Sequence, residues 1–182
     1  MKAGVDVLAM HWDVVEQRAK EFGKQSDRDS WRVVGLMHLA DSKEQALKDV
    51  SYGLREWCDY IQHTAAAPQI QVTGNNIDEY TEWALNNGSI VIGTVNEAIE
   101  HIENVVEISN GGFGNYLLFD HNWVNYAAKT HSYEIFADVV IPHFKKTNRR
   151  MKISETKLRE VREPLAQAQQ EAIDAFILWV GR

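Results

Sequence analysis

The sequence predicts an α/β fold built from parallel strand–helix units, and three observations carry that expectation. The short apolar runs Trp31–Leu39, Ser89–Gly93 and Phe113–Phe119 are bounded by turn residues and lack clean alternation, as strands covered on both faces do. Segments with apolar residues at helical spacing separate them, and a crossover of that length returns the chain parallel to the strand it left. Glycines stand where the helical patterns stop, at Gly23, Gly88 and Gly111–Gly112, which is where a left-handed backbone ends a helix.

Taken in order, the first helix carries Val5, Leu8, Ala9, Trp12, Val15, Ala19 and Phe22 on one stripe. Nothing precedes that stripe for it to pack on, which suggests the latter part of a larger architecture. A polar turn, residues 24–30, leads into the first strand. Ser42 with Gln45 three residues on makes a capping box, and Leu47, Val50, Leu54, Trp57, Cys58 and Ile61 mark one face of a helix reaching His63. Residues 64–75, with Pro68 and Gly74, read as a loop. Asn76 with Glu79 opens a short helix to Asn86. The second strand leaves at Thr94, which caps the next helix together with Glu97; Val95, Ala98, Ile99, Ile102, Val105 and Val106 form that helix's buried side. After the third strand a helix is expected over Ser132–Asn148, kinked at Pro142, which has no N–H to donate. The tail reads as two helical pieces, Ser154–Glu163 and Pro164–Val180, with Leu165, Ala168, Ala172, Ala175, Phe176 and Trp179 on one stripe. Residues 1–148 therefore make the strand–helix part and residues 149–182 a helical tail of no assigned role.

Composition narrows the function. With 182 residues, 45% hydrophobic and 25% charged, the chain is one ordinary globular domain's worth of sequence. Its net charge of −7 argues against nucleic acid as a partner. No apolar run approaches a membrane span, and the start Met-Lys-Ala-Gly-Val-Asp is not a signal peptide. The lone Cys58 excludes an internal disulfide and fits the reducing cytoplasm. The basic cluster Lys145, Lys146, Arg149, Arg150 and Lys152 complements the negative end of the helix it trails.

Chemistry is expected where parallel strands end, because ligands of such folds bind at the strands' carboxyl ends. The exits are Met37-His38, Gly93-Thr94 and Asp120-His121, the last followed by Asn122-Trp123. Imidazole serves as acid, base or ligand near neutral pH, so His38 and His121 are the catalytic candidates. Each could equally cap a strand exit through backbone hydrogen bonds. Asp120 could instead hold loop amides, and Trp123 could close the mouth. Two imidazoles and a carboxylate could hold a metal, but no pair of histidines has a short ligand spacing. Gly111-Gly112-Phe113-Gly114 precedes a strand, so it is not a phosphate loop, which follows one.

The run Gly-Gly-Phe-Gly, Leu-Leu-Phe-Asp-His-Asn-Trp, Ser132-Tyr133-Glu134-Ile135-Phe136-Ala137 and Ile141-Pro142-His143-Phe144 resembles the closing segment of luciferase-like flavin-dependent monooxygenases, nearest their limonene monooxygenase-like branch. The resemblance runs from about Val5 to Phe144. It implies that the three units are the last of a TIM (β/α)8 barrel, which has about eight strands in about 250 residues, rather than part of a doubly wound sheet. It implies reduced FMN as cofactor, O2 as co-substrate, a small organic substrate and a separate flavin reductase. No residue carries over from the family position by position; by their place at the strand exits Thr94, Asp120 and Trp123 are the cofactor-binding candidates, and Trp123 could stack on the flavin or close the mouth. The family's phosphate and ring contacts lie mostly in earlier strands, so weak flavin binding is expected of this chain alone. Bare sheet edges would be covered by self-association or by the missing barrel half. A catalytically incomplete interaction subunit and a metal-dependent TIM-barrel hydrolase are the other readings left open.

Overall fold

The first helix, α1 (Leu8–Glu21), finds a partner that its place in the sequence does not reveal. Its buried residue is Trp12, whose ring stacks on Trp31 at 5.3 Å with the Arg28 guanidinium 4.6 Å over its face. Arg28 also donates to the carbonyls of Ser109 and Gly112, a cation set against the negative end of a later helix. The expected apolar stripe is therefore only part used: Trp12 is covered, Leu8, Ala9 and Ala19 are half-buried, and Val15 and Phe22 face solvent. The computed structural model describes residues 7–65 and 70–145, with residues 162, 164 and 167 beyond them. Val5 and nearly all of the two expected tail helices lie outside the described residues.

Beyond a 3-10 turn at Arg28–Ser30 come β1 (Arg32–Leu39), α2 (Lys43–Val50), α3 (Leu54–His63), α4 (Ile77–Asn86) and β2 (Ile90–Gly93). They are followed by α5 (Val95–Ile108), β3 (Asn115–Leu118) and α6 (Tyr126–Ile135). The expected caps are in place. Ser42 accepts from the Gln45 amide, Asn76 from the Glu79 amide, and Thr94 and Glu97 form a capping box. Asn110, with φ 50°, takes the left-handed position just past the Ser109 cap of α5, and Gly111 and Gly112, with φ of 129° and 81°, continue the turn that the sequence assigned to them alone.

The fold is mixed α/β with a three-stranded parallel sheet, ordered β2-β1-β3. Consecutive strands of a barrel lie in chain order; here the longest strand takes the middle instead. The upper half of β1, Leu36–Leu39, pairs with Ile90–Gly93, and the lower half, Arg32–Gly35, pairs with Asn115–Leu118. The crossover to β2 runs one way and the crossover to β3 runs back past β1. Reversing direction under a fixed crossover hand carries α5 to the opposite face. On the first face Leu36, Ile90 and Ile92 join Ala46, Val50, Leu54, Trp57, Cys58, Tyr80 and Ala84 in one apolar cluster. On the other, Met37, Leu39 and Val91 are buried apart from that cluster, as are Ala98, Ile102 and Val105 of α5. A central strand covered on both faces needs no alternation, which is what its run of apolar residues reads as.

Two elements differ from expectation. The third strand is shorter than Phe113–Phe119, and Leu117 and Phe119 are exposed rather than covered. The helix after it starts earlier, at Tyr126, because Asn125 accepts from the Ala128 amide and caps it. Pro142 produces a local change of helical register rather than a simple kink. Residues Phe136–Val140 form a π turn, with the Ile141 amide reaching Phe136 O, before α7 (Ile141–Lys145). The wider turn accommodates a position that cannot donate. By internal packing the chain falls into two units, Met1–Ile141 and Pro142–Arg182; the sheet and α1 through α6 lie in the first.

Candidate functional site

The site begins as a problem of unpaired backbone. The third strand stays with β1 only as far as the bond from the Phe119 amide to Gly35 O. Above that point the same edge of β1 still carries buried donors and acceptors, which must find partners. Side chains supply them. His121 Nε2 lies 2.9 Å from Met37 O, and the Leu39 amide donates to Ser132 Oγ at 2.9 Å. A carbonyl only accepts, so His121 carries its hydrogen on Nε2, leaving Nδ1 to accept from the Trp123 amide at 3.3 Å. Both ring nitrogens of His121 are thus engaged with backbone. Burial pushes its pKa down to about 4 against the opposing pull of the Met37 bond, and it is a neutral bolt at ordinary pH.

His38 is different. It sits in β1 with no exposed surface, and its Nε2 lies 3.1 Å from Asp49 Oδ2 on α2. Burial lowers its pKa and outweighs the opposing hydrogen bond and charge of Asp49. The two imidazoles meet edge to face with centroids 6.2 Å apart, and His121 stacks on Trp123 at 4.2 Å. Trp123 is 0% exposed and lies edge-on to Trp57 at 5.4 Å. Its carbonyl accepts from the Gly53 amide at 2.8 Å. At Gly53 a Cβ would collide with the Asn122 backbone oxygen, so this close approach of loop to helix requires glycine. His38 Nδ1 and Trp123 Nε1 have no hydrogen-bond partner among the described residues.

The sequence candidates therefore divide. His38, His121 and Trp123 come together in the core; Thr94 lies apart, and Asp120, whose carboxylate takes the His121 backbone amide, stays at the surface. The Thr94 amide and hydroxyl both bond Glu97, whose other oxygen takes Lys43 Nζ at 2.6 Å. Lys43 also donates to Ile92 O. Asp120, with its side chain 69% exposed, accepts from Tyr133 at 2.7 Å and pairs with Lys129 at 3.0 Å. Those two partners hold its carboxyl below the usual range. Trp123 is placed in the core, with its ring stacked on His121 and its edge relation to Trp57 closing the other side. Among the described residues no group of three His, Cys, Asp or Glu gathers to hold a metal, and no helix is long and apolar enough to cross a membrane.

Sequence reasoning missed Asp49, Lys43 and Ser132. One signal for Asp49 exists: it falls three residues after Ala46 and so shares a helix face with a buried position. Nothing local marks Ser132, because its partner is the ladder gap left by a distant strand.

No family model matches the chain. Over 145 residues, 78% of its length, it is 38% identical to limonene 1,2-monooxygenase of Rhodococcus erythropolis, covering 35% of that protein. It is 32% identical over 142 residues to 4-hydroxyprotoasukamycin monooxygenase of Streptomyces nodosus subsp. asukaensis, covering 38% of it. In fold, 77% of the chain resembles 40% of a type II Baeyer-Villiger monooxygenase, with TM-score 0.54 and 22% identity. That protein is the oxygenating constituent of 3,6-diketocamphane monooxygenase from the CAM plasmid of Pseudomonas putida, solved in complex with FMN. The resemblance to luciferase-like flavin-dependent monooxygenases, and to the limonene monooxygenase-like branch, holds over most of the chain. The chain spans between a third and two fifths of the length of each of these relatives.

Proposed function

We propose that the chain forms the closing strand–helix units of a flavin-dependent monooxygenase barrel that uses reduced FMN and O2 to oxidise a small organic substrate in the cytoplasm. The observation that carries this reading is the 38% identity to limonene 1,2-monooxygenase over 145 residues; the shared fold with an FMN-complexed oxygenase supports it. Reduced FMN, when bound, supplies the electrons that let O2 oxidise the substrate, and a separate reductase would replenish it.

The described residues do not make a cradle for that cofactor. Thr94 has both polar groups on Glu97, Asp120 is itself an anion and would repel a phosphate, and Trp123 is sealed in the core. In this reading the phosphate and ring contacts belong to strands outside this chain. What the chain contributes is a dry, ordered rim. His121 fixes the loop after β3, Trp57 and Trp123 exclude water, and His38 holds an unpartnered nitrogen near them. A catalytically incomplete chain that works only within a larger assembly is favoured by the same sealed exits.

The test titrates FMN into the purified chain by fluorescence quenching, alone and with the complementary portion of the Rhodococcus enzyme. A flavin reductase, NADH and O2 are then added and oxygenated product is measured on a panel of small organic substrates. The expected result is no micromolar flavin binding alone, and binding with reductase-dependent oxygenation in the complex. Tight binding by the chain alone would overturn the placement of the flavin contacts. A complex without oxygenated product would overturn the monooxygenase reading.

A further inference from the structure

We propose that Asp49 is a positioning residue: it fixes the tautomer of His38 and so presents His38 Nδ1 as a buried hydrogen-bond acceptor at the exit of β1. The carboxylate is held at both oxygens. Oδ2 lies 3.1 Å from His38 Nε2, and Oδ1 accepts from Gln45 Nε2 at 2.6 Å. Gln45 is itself set by the Ser42 cap of α2, through the bond from its amide to the Ser42 hydroxyl. Carboxylate oxygens accept, so Nε2 carries the imidazole's hydrogen and Nδ1 is left with a bare lone pair.

The groups that face His38 are few. Asp49 comes from α2, His121 from the loop after β3, and His131 acts at longer range from α6. None of them meets Nδ1, which has no partner among the described residues. A buried acceptor left unmatched keeps the desolvation penalty of its burial without a bond to offset it. His121, a few ångströms away, shows how the fold satisfies a histidine that only braces backbone: both its nitrogens are paired. His38 is oriented just as firmly but with one nitrogen to spare. That nitrogen is suited to a ligand group that donates a hydrogen bond, a hydroxyl or an N–H. Its use in oxidation rests on the function proposed above; the tautomer does not.

The first measurement is a long-range proton–nitrogen correlation spectrum of the nitrogen-15-labelled full chain at neutral pH. His38 is expected as the Nε2–H tautomer. Asp49→Leu, which removes the acceptor, is expected to shift it towards Nδ1–H, and Asp49→Asn, whose carbonyl still accepts, to restore Nε2–H. An Nδ1–H tautomer in the unmutated chain overturns the proposal, and so does an unchanged tautomer in Asp49→Leu. If Asp49→Leu does not fold, the unmutated spectrum and that of Asp49→Asn still decide it. The second measurement uses the oxygenating complex, where Asp49→Leu should lower kcat by about 100-fold while flavin affinity stays within twofold. Equal kcat would make the Asp49–His38 bond purely structural and overturn the positioning role. An unmutated complex that never oxygenates counts against the proposed function, and the tautomer then decides this proposal.

Discussion

At the scale of single residues, the two histidines make the stability of this chain depend on pH in a definite direction. His121 has its folded pKa near 4, below the ordinary value of 6.5, and that of His38 is lowered as well. Between those values the unfolded chain binds a proton that the folded one does not, so stability rises with pH there and falls as pH drops. Above pH 6.5 neither state is protonated at His121 and the dependence stops. The full effect at His121 is worth about 3 kcal/mol, lost as pH falls from 6.5 towards 4. Urea unfolding at pH 7.5, 6 and 5 should show it, with His121→Gln flattening the slope; a flat profile in the unmutated chain would mean that His121 is not held buried and neutral. Both histidines are legible as polar residues closing apolar runs. Which of them keeps a bare nitrogen is not, because that depends on Asp49, on another element, and on where β3 leaves its ladder.

At the scale of elements, local chemistry was sufficient for the helix starts. Ser42, Asn76 and Thr94 each stand three residues before the partner they bond, and that spacing is visible in the chain. The start of α6 escaped because Asn125, two residues past the Asp120–Trp123 cluster, has Ala128 rather than Glu or Gln three residues on and so shows no capping box. Loop 121–124 is held by contacts distant in sequence, so its packing against the α2–α3 junction could not be read. Gly53 makes that packing testable. Its φ of −148° is not left-handed, and the collision with Asn122 O is the contact that Gly53→Ala would create. Overpacking of this kind typically costs about 1–3 kcal/mol. Thermal melting should report the loss, and tryptophan fluorescence should report the displacement of Trp123. Unchanged melting and emission would show that the loop has room to give.

At the scale of the whole molecule, parallel strands follow from crossover length, but the side of β1 on which each strand lands does not. That is why the composition of the sheet was legible and its order was not. The β2-β1-β3 order covers the upper half of β1 on both faces and leaves the lower half with a bare one. Register places Val34 beside Leu117, and Phe119 follows in step; they are 55%, 43% and 58% exposed. Among the described residues the far edge of β3 has no strand beside it, so apolar surface and open backbone groups lie together, the combination that invites pairing. Burying a side chain of this kind fully is worth roughly 1.5–3 kcal/mol, and three of them approach the net stability of a small domain. The chain is therefore expected to self-associate at micromolar concentration, and to form a defined complex when the complementary barrel portion is supplied. Val34→Lys with Phe119→Lys should weaken both, since neither residue is buried and the folded chain loses no core contact. Light scattering on fractionated samples checks it. A monodisperse monomer of the unmutated chain with a cooperative melt would sink the prediction, because the bare half-face would then be tolerated or covered within the chain itself.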